Sequence, residues 1–71
     1  MADSVYKFIE LVGTSSESWE KAAAAAVTQA TKSVRDLRVA EIVQLDMAIE
    51  NGKIKSYRAK VKLSFKIESK G

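Results

Sequence analysis

The chain contains no cysteine, no proline and no histidine, and only three glycines in 71 residues. Without cysteine there is no disulfide framework, no thiolate metal site and no thiol nucleophile. Without histidine the commonest metal ligand and the usual general base near neutral pH are both missing. Neither a glycine-rich phosphate loop nor a paired-carboxylate spacing is present, so nothing in the chain points to catalysis and the expectation is a non-enzyme. The longest apolar run, Ala22 to Val27, is far too short to span a bilayer. Met1-Ala2-Asp3-Ser4 lacks the basic and apolar segments of a signal peptide, which predicts a cytoplasmic protein with no membrane partner.

What is present is a balanced globular composition, 46% hydrophobic and 30% charged, enough apolar material to exclude disorder. A chain this short makes one domain, residues 1–71, and buries too little surface to be robust as a monomer. With disulfides and thiolate or imidazole metal sites excluded, self-association is the remaining support. The net charge is +3, from 12 basic and 9 acidic residues.

Val5 to Val12 is β-branched and aromatic and predicts a strand closed by Gly13. Ser15 or Ser16 is placed to cap a helix, with Glu17 and Glu20 favourable at its N-terminus. Trp19, Ala23, Ala26, Val27, Ala30, Val34 and Leu37 recur at helical spacing and predict a helix of about 18 residues. Val39 to Glu50 predicts a second strand and Lys53 to Glu68 a third, joined at Asn51-Gly52 by a two-residue type I′ turn. The architecture is β-α-β-β, with the third strand central and antiparallel to the other two.

A turn that pairs Glu50 with Lys53 predicts a uniform register. It sets Ile42 opposite Val61, Ala40 opposite Leu63, Gln44 opposite Ala59, and Glu41 opposite Lys62. It also sets Val43 against Lys60, Leu45 against Arg58 and Met47 against Ser56. Val39, Val43, Leu45 and Met47 then form an apolar stripe on the face away from the helix, beside a basic row of Arg58, Lys60, Lys62 and Lys66. Such a face suits subunit packing or a ligand cavity. The basic row has no binding motif or interleaved exposed aromatic residues, which leaves a basic nucleic-acid-binding module only as a weaker alternative.

Several short segments together resemble the dodecin family. They are Lys7-Phe8-Ile9-Glu10-Leu11-Val12-Gly13-Thr14-Ser15, Glu17-Ser18-Trp19-Glu20, Arg35-Asp36-Leu37, Ala40-Glu41, the Asn51-Gly52 hairpin, Tyr57, and Ser64-Phe65-Lys66. The resemblance spans Val5 to Glu68. It implies an α+β protomer whose three-stranded antiparallel sheet wraps one helix. It also implies a hollow homododecamer, the partner being the chain itself, that binds a small ligand between copies. Typical dodecins hold FMN or riboflavin as stacked pairs, in a storage or quenching role.

The positions that the resemblance assigns to the cofactor are Val39, Asp46 and Arg58, and all three depart from the flavin pattern. Typical members carry a tryptophan where this chain has Val39, an arginine where it has Asp46, and a glutamine where it has Arg58. The resemblance is stronger to the tryptophan-lacking, calcium-binding group, which makes calcium the alternative ligand. A hard cation needs six or more oxygens, so carboxylates such as Glu41, Asp46 and Glu50 would have to gather from several copies. The competing reading of Glu41 is a cross-strand pair with Lys62. Trp19, the only tryptophan, lies on the apolar stripe of the helix and is expected to pack rather than to stack on a ligand.

Overall fold

The computed structural model describes residues 3–67. Four elements follow in the expected order: β1 (Val5–Ser15), α1 (Trp19–Thr31), β2 (Leu37–Glu50) and β3 (Lys53–Ile67). The sheet order is β1-β3-β2, antiparallel throughout. Asn51 and Gly52 both have positive φ, 53° and 74°, as a type I′ turn requires. Glu68, the expected last residue of β3, lies outside the described residues. Among those described, no helix is long and apolar enough to cross a membrane.

The core forms where the smallest helix face meets the centre of the sheet. Ala22, Ala26 and Ala30 are buried against Ala59, Val61 and Leu63, and Ile9, Leu11, Ala23, Val27 and Leu37 pack around them. Alanine every fourth residue lets the helix axis approach the sheet closely. At the closest point stands Gly13, buried and paired with Ala59. It does not end β1 as expected. The strand runs two residues further, and Gly13 serves as the gap that admits the Ala22 backbone.

The helix is also shorter than its apolar spacing predicts. Ser18, not Ser15 or Ser16, is the N-cap, with its Oγ accepting from the Lys21 amide at 3.0 Å. Ser15 Oγ instead accepts from the Glu17 amide at 3.0 Å in the turn before it. At the other end the Ser33 and Val34 amides both donate to the Ala30 carbonyl, closing the last turn. Asp36 then takes φ 60°, a left-handed conformation that aspartate tolerates. Val34 and Leu37 therefore keep helical spacing without being helical, and Leu37 reaches the core from the start of β2.

Candidate functional site

The register between β2 and β3 is not uniform. From Glu50↔Lys53 and Ile49↔Ile54 it shifts by one residue, so that Ala48 faces Ser56, Met47 faces Tyr57, Asp46 faces Arg58, Leu45 faces Ala59 and Gln44 faces Lys60. It then shifts back, and Ile42↔Val61, Glu41↔Lys62 and Ala40↔Leu63 stand as expected. Lys55 on β3 and Val43 on β2 are the unpaired residues at these two shifts, whose effects on register cancel, and Arg38 is left unpaired at a third shift between Leu37 and Val39. Because side chains alternate with period two, the segment between the bulges is turned over. Leu45 and Met47 leave the predicted stripe and join the helix side with Ala59 and Tyr57. Gln44 and Asp46 take the opposite face with Lys60 and Arg58.

This inversion creates a contact that the uniform register excludes. Arg58 Nε donates to Asp46 Oδ1 at 2.7 Å, and its terminal nitrogen Nη2 to Oδ2 at 3.2 Å. Gln44 Nε2 lies 3.5 Å from the same carboxylate. The pair is a two-point fork with planar complementarity. The hydrogen bond from Arg58 holds the Asp46 carboxyl below its ordinary value, and the guanidinium is in turn held above its own. Both side chains remain more than a third open to solvent, 47% for Arg58 and 36% for Asp46, so salt screens the attraction.

The sign of the pH dependence follows from the lowered pKa. The pair contributes in full above the unfolded aspartate value near 3.8 and is lost as pH falls through the lower folded value. The stability difference between this chain and Asp46→Asn is therefore expected to be constant from pH 7 down to about 5 and to shrink below about 4. Urea midpoints measured across that range check it. A difference that grows on acidification contradicts the pairing.

Behind Asp46, the Trp19 indole N–H donates to the Asp46 carbonyl at 2.9 Å. The Trp19 ring meets Tyr57 edge-on, with centroids 5.1 Å apart. Trp19, Glu20, Ala23, Ile42 and Leu45 line an apolar hollow of about 300 Å³ between the helix start and β2. The expected packing role of Trp19 holds, with a directional bond added to it.

Of the three predicted cofactor positions, the fold unites two. Val39 faces Ser64 near the far end of β2, seven residues from Asp46, roughly 20 Å at the strand rise. The bulge at Val43 nevertheless puts Val39 and Asp46 on one sheet face, since their partners Ser64 and Arg58 alternate in phase. Val39 is 60% exposed and offers no aromatic ring. The residues present do not fit a flavin ring in one chain: the stacking partner is missing and the Arg58 fork is engaged.

The carboxylates expected to gather around a cation do not do so within one chain. Among the described residues, no three acidic side chains converge. Glu50 lies 3.7 Å from Lys55 and Asp46 binds Arg58. Glu41 does face Lys62, but the Lys62 ammonium sits 5.5 Å from the centre of the Phe8 ring, and the two make no ion pair. Phe8 and Tyr6, both exposed, share that face with the basic row, so aromatic residues missing from the row in β3 are supplied by β1.

The signal for the bulge was present in the sequence. Ala40 and Ile42 are apolar at even positions, whereas Leu45 and Met47 are apolar at odd ones. A polarity pattern that changes phase at Val43 is what an inserted residue produces.

The family model described as Dodecin matches residues 5–68. The calcium dodecin of Mycobacterium tuberculosis is 54% identical over 65 residues, covering 90% of each chain. A crystal structure of that protein, described as calcium chelating with a calcium-binding site, superposes with a TM-score of 0.81 at 51% identity, over 96% of this chain and 97% of the other. The dodecin from Streptomyces coelicolor gives a TM-score of 0.89 at 33% identity, over 99% of this chain and all of its own.

Proposed function

This chain belongs to the dodecin family, and on that premise we propose that it is a non-catalytic, cytoplasmic homododecameric shell that sequesters a small ligand between its subunits, with flavin affinity weak or lost. The observation that carries this reading is the sheet face shared by Val39, Asp46 and Arg58. The tryptophan expected of a flavin binder is absent, and Arg58, at the position that the resemblance assigns to a hydrogen bond with the flavin, is engaged by Asp46. Neither a nucleic acid nor a membrane is needed as a partner.

Assembly is supported by what one chain leaves uncovered. Val39, Ile42, Val43, Leu45 and Met47 are each 40–60% exposed, and Ile49 and Ile54 project at the hairpin tip. The molecule measures 56 Å along its longest axis, while a 13-residue helix covers only about 20 Å of it. A closed symmetric assembly buries such surface and removes the free strand edges. The native mass is expected to be twelve times that of the chain. A folded monomer by light scattering at micromolar concentration overturns the assembly.

The second reading is calcium binding, supported by the 54% identity to a calcium dodecin. Since the carboxylates of one chain do not converge, the ligands of such a site come from more than one subunit. Calcium bound to the native state raises its stability by mass action. The expected result is a higher melting temperature in calcium than in chelator. Identical melting curves, together with no calcium retained on dialysis, count against it.

A further inference from the structure

We infer that Asn51-Gly52 is a modification site: the Gly52 amide attacks the Asn51 side chain without an enzyme, and the isoaspartate that results opens the hairpin tip. Asn51 is the only asparagine in the chain, and a glycine follows it. The attack needs a nitrogen with clear surroundings, which this glycine has. Nothing lies within 4 Å of where a Gly52 side chain would start. The strand ladder closes on Glu50↔Lys53, so the Gly52 amide lies outside it. Among the described residues, no backbone hydrogen bond outside the ladder engages that amide either. The two residues best suited to a type I′ turn are thus also a reactive pair.

The reaction balances without a cofactor. Water or hydroxide takes the proton from the Gly52 amide nitrogen, which bonds to Asn51 Cγ. The Cγ–Nδ2 bond breaks and the side-chain nitrogen leaves as ammonia, giving a five-membered succinimide. Water then opens the ring at either carbonyl, to aspartate or to isoaspartate. Ring closure requires rotation about the Asn51 Cα–C bond, out of the turn conformation. The tip resists that rotation only weakly. Ile49 through Lys55 are all exposed, and the Glu50–Lys55 pair at 3.7 Å is 62% open on both sides and worth little. A segment so exposed opens locally at the low end of the stability range. The two products differ in consequence. Aspartate keeps the turn, since Asp-Gly suits type I′ as well. Isoaspartate carries one more main-chain carbon. A two-residue loop then no longer joins the strands, and the pairs Glu50↔Lys53 and Ile49↔Ile54 lose their closure.

The test ages the assembled full-length protein in mildly alkaline buffer, beside the same chain unfolded in urea. Protein isoaspartyl methyltransferase reads the isoaspartate, and mass spectrometry of the tryptic peptide Val39–Lys53 places it. Isoaspartate at residue 51 is expected in the native protein. Gly52→Ala is expected to slow its formation at least about tenfold, the equivalent of about 1.4 kcal/mol in the barrier, because a methyl group crowds the attacking nitrogen. In the isoaspartyl fraction the cross-strand NMR contact between Ile49 and Ile54 is expected to vanish. The contact between Asp46 and Arg58 stays, since that pair lies beyond the Lys55 bulge. Isoaspartate in urea but not in the native protein overturns the inference, because the folded turn then protects the bond. So does an equal rate in Gly52→Ala, or a product that is aspartate alone, since neither fits attack by the Gly52 nitrogen. An isoaspartyl fraction that keeps the Ile49–Ile54 contact overturns the opening of the tip.

Discussion

Riboflavin is expected to bind the Val39→Trp, Arg58→Gln double variant on the order of 10²–10⁴-fold more tightly than it binds the unchanged chain, at about 1.4 kcal/mol per tenfold. Two terms make up that range. An aromatic side chain stacked on a planar heterocycle contributes about 1–3 kcal/mol, and Val39 has no π-face with which to supply it. Arg58 donates hydrogen bonds but accepts none, so a ring N–H buried against it stays unpaired at a cost of about 1–3 kcal/mol. The structure adds a third element. The guanidinium is already engaged by Asp46 at 2.7 and 3.2 Å, and a ligand has to displace the carboxylate to reach it. Glutamine both donates and accepts, and tryptophan restores the stacking surface. Quenching of riboflavin fluorescence reads the affinity, and the native mass confirms that the variant still assembles. Tight, stoichiometric binding by the unchanged chain refutes the loss of affinity. A double variant that assembles but does not quench refutes the placement of these two positions in the pocket.

The second large effect is on stability. Gly13→Ala is expected to destabilise the fold by about 3 kcal/mol, the upper end of ordinary overpacking. For a domain of this size that corresponds to a fall of roughly 12–24 °C in Tm. A methyl group on Gly13 collides with the Ala22 carbonyl oxygen and comes within 3.2 Å of the Ala26 methyl carbon. The first obstacle is helix backbone, which cannot rotate aside as a side-chain tip would. The helix has to lift away from β1 and β3, opening the contact that buries Ala22, Ala26 and Ala30. Gly52→Ala is the instructive control. At Gly52 nothing lies within 4 Å, so its φ of +74° leaves only the conformational penalty of about 1 kcal/mol. Denaturation of the two variants side by side should separate them clearly. Equal losses at Gly13 and Gly52 contradict the close approach of helix and sheet.

Both predictions rely on features that differ in how openly the sequence displays them. The departures at 39, 46 and 58 are legible by resemblance alone, and the structure changes only what the residues do. Asp46 is not an unpaired charge on that face, because Arg58 holds it. Gly13, by contrast, reads as a strand terminator from sequence, since glycine is a common breaker. Its actual role depends on Ala22, nine residues further along, passing over it. The helix is shorter than its apolar spacing predicts for a related reason. Val34 and Leu37 fall on the apolar face by spacing, and no glycine or proline marks the end at Thr31. The chain leaves the helix through Asp36, whose left-handed conformation is permitted by aspartate but not announced by it.

Local rules and pattern determined the element order, the Asn51-Gly52 turn, the central place of β3 and its strict alternation. Each of these depends on the preferences of neighbouring residues and on a period that repeats within a single element. Which way residues 44–48 face was decided only in three dimensions. A one-residue bulge costs little locally, and the phase change from Ile42 to Leu45 signals it only faintly. In the folded chain that segment meets distant partners: the Trp19 indole on the Asp46 carbonyl, Leu45 lining one hollow with Trp19 and Ala23, and Asp46 on Arg58. These contacts join residues far apart in the chain, and none of them exists until helix and hairpin have been brought together.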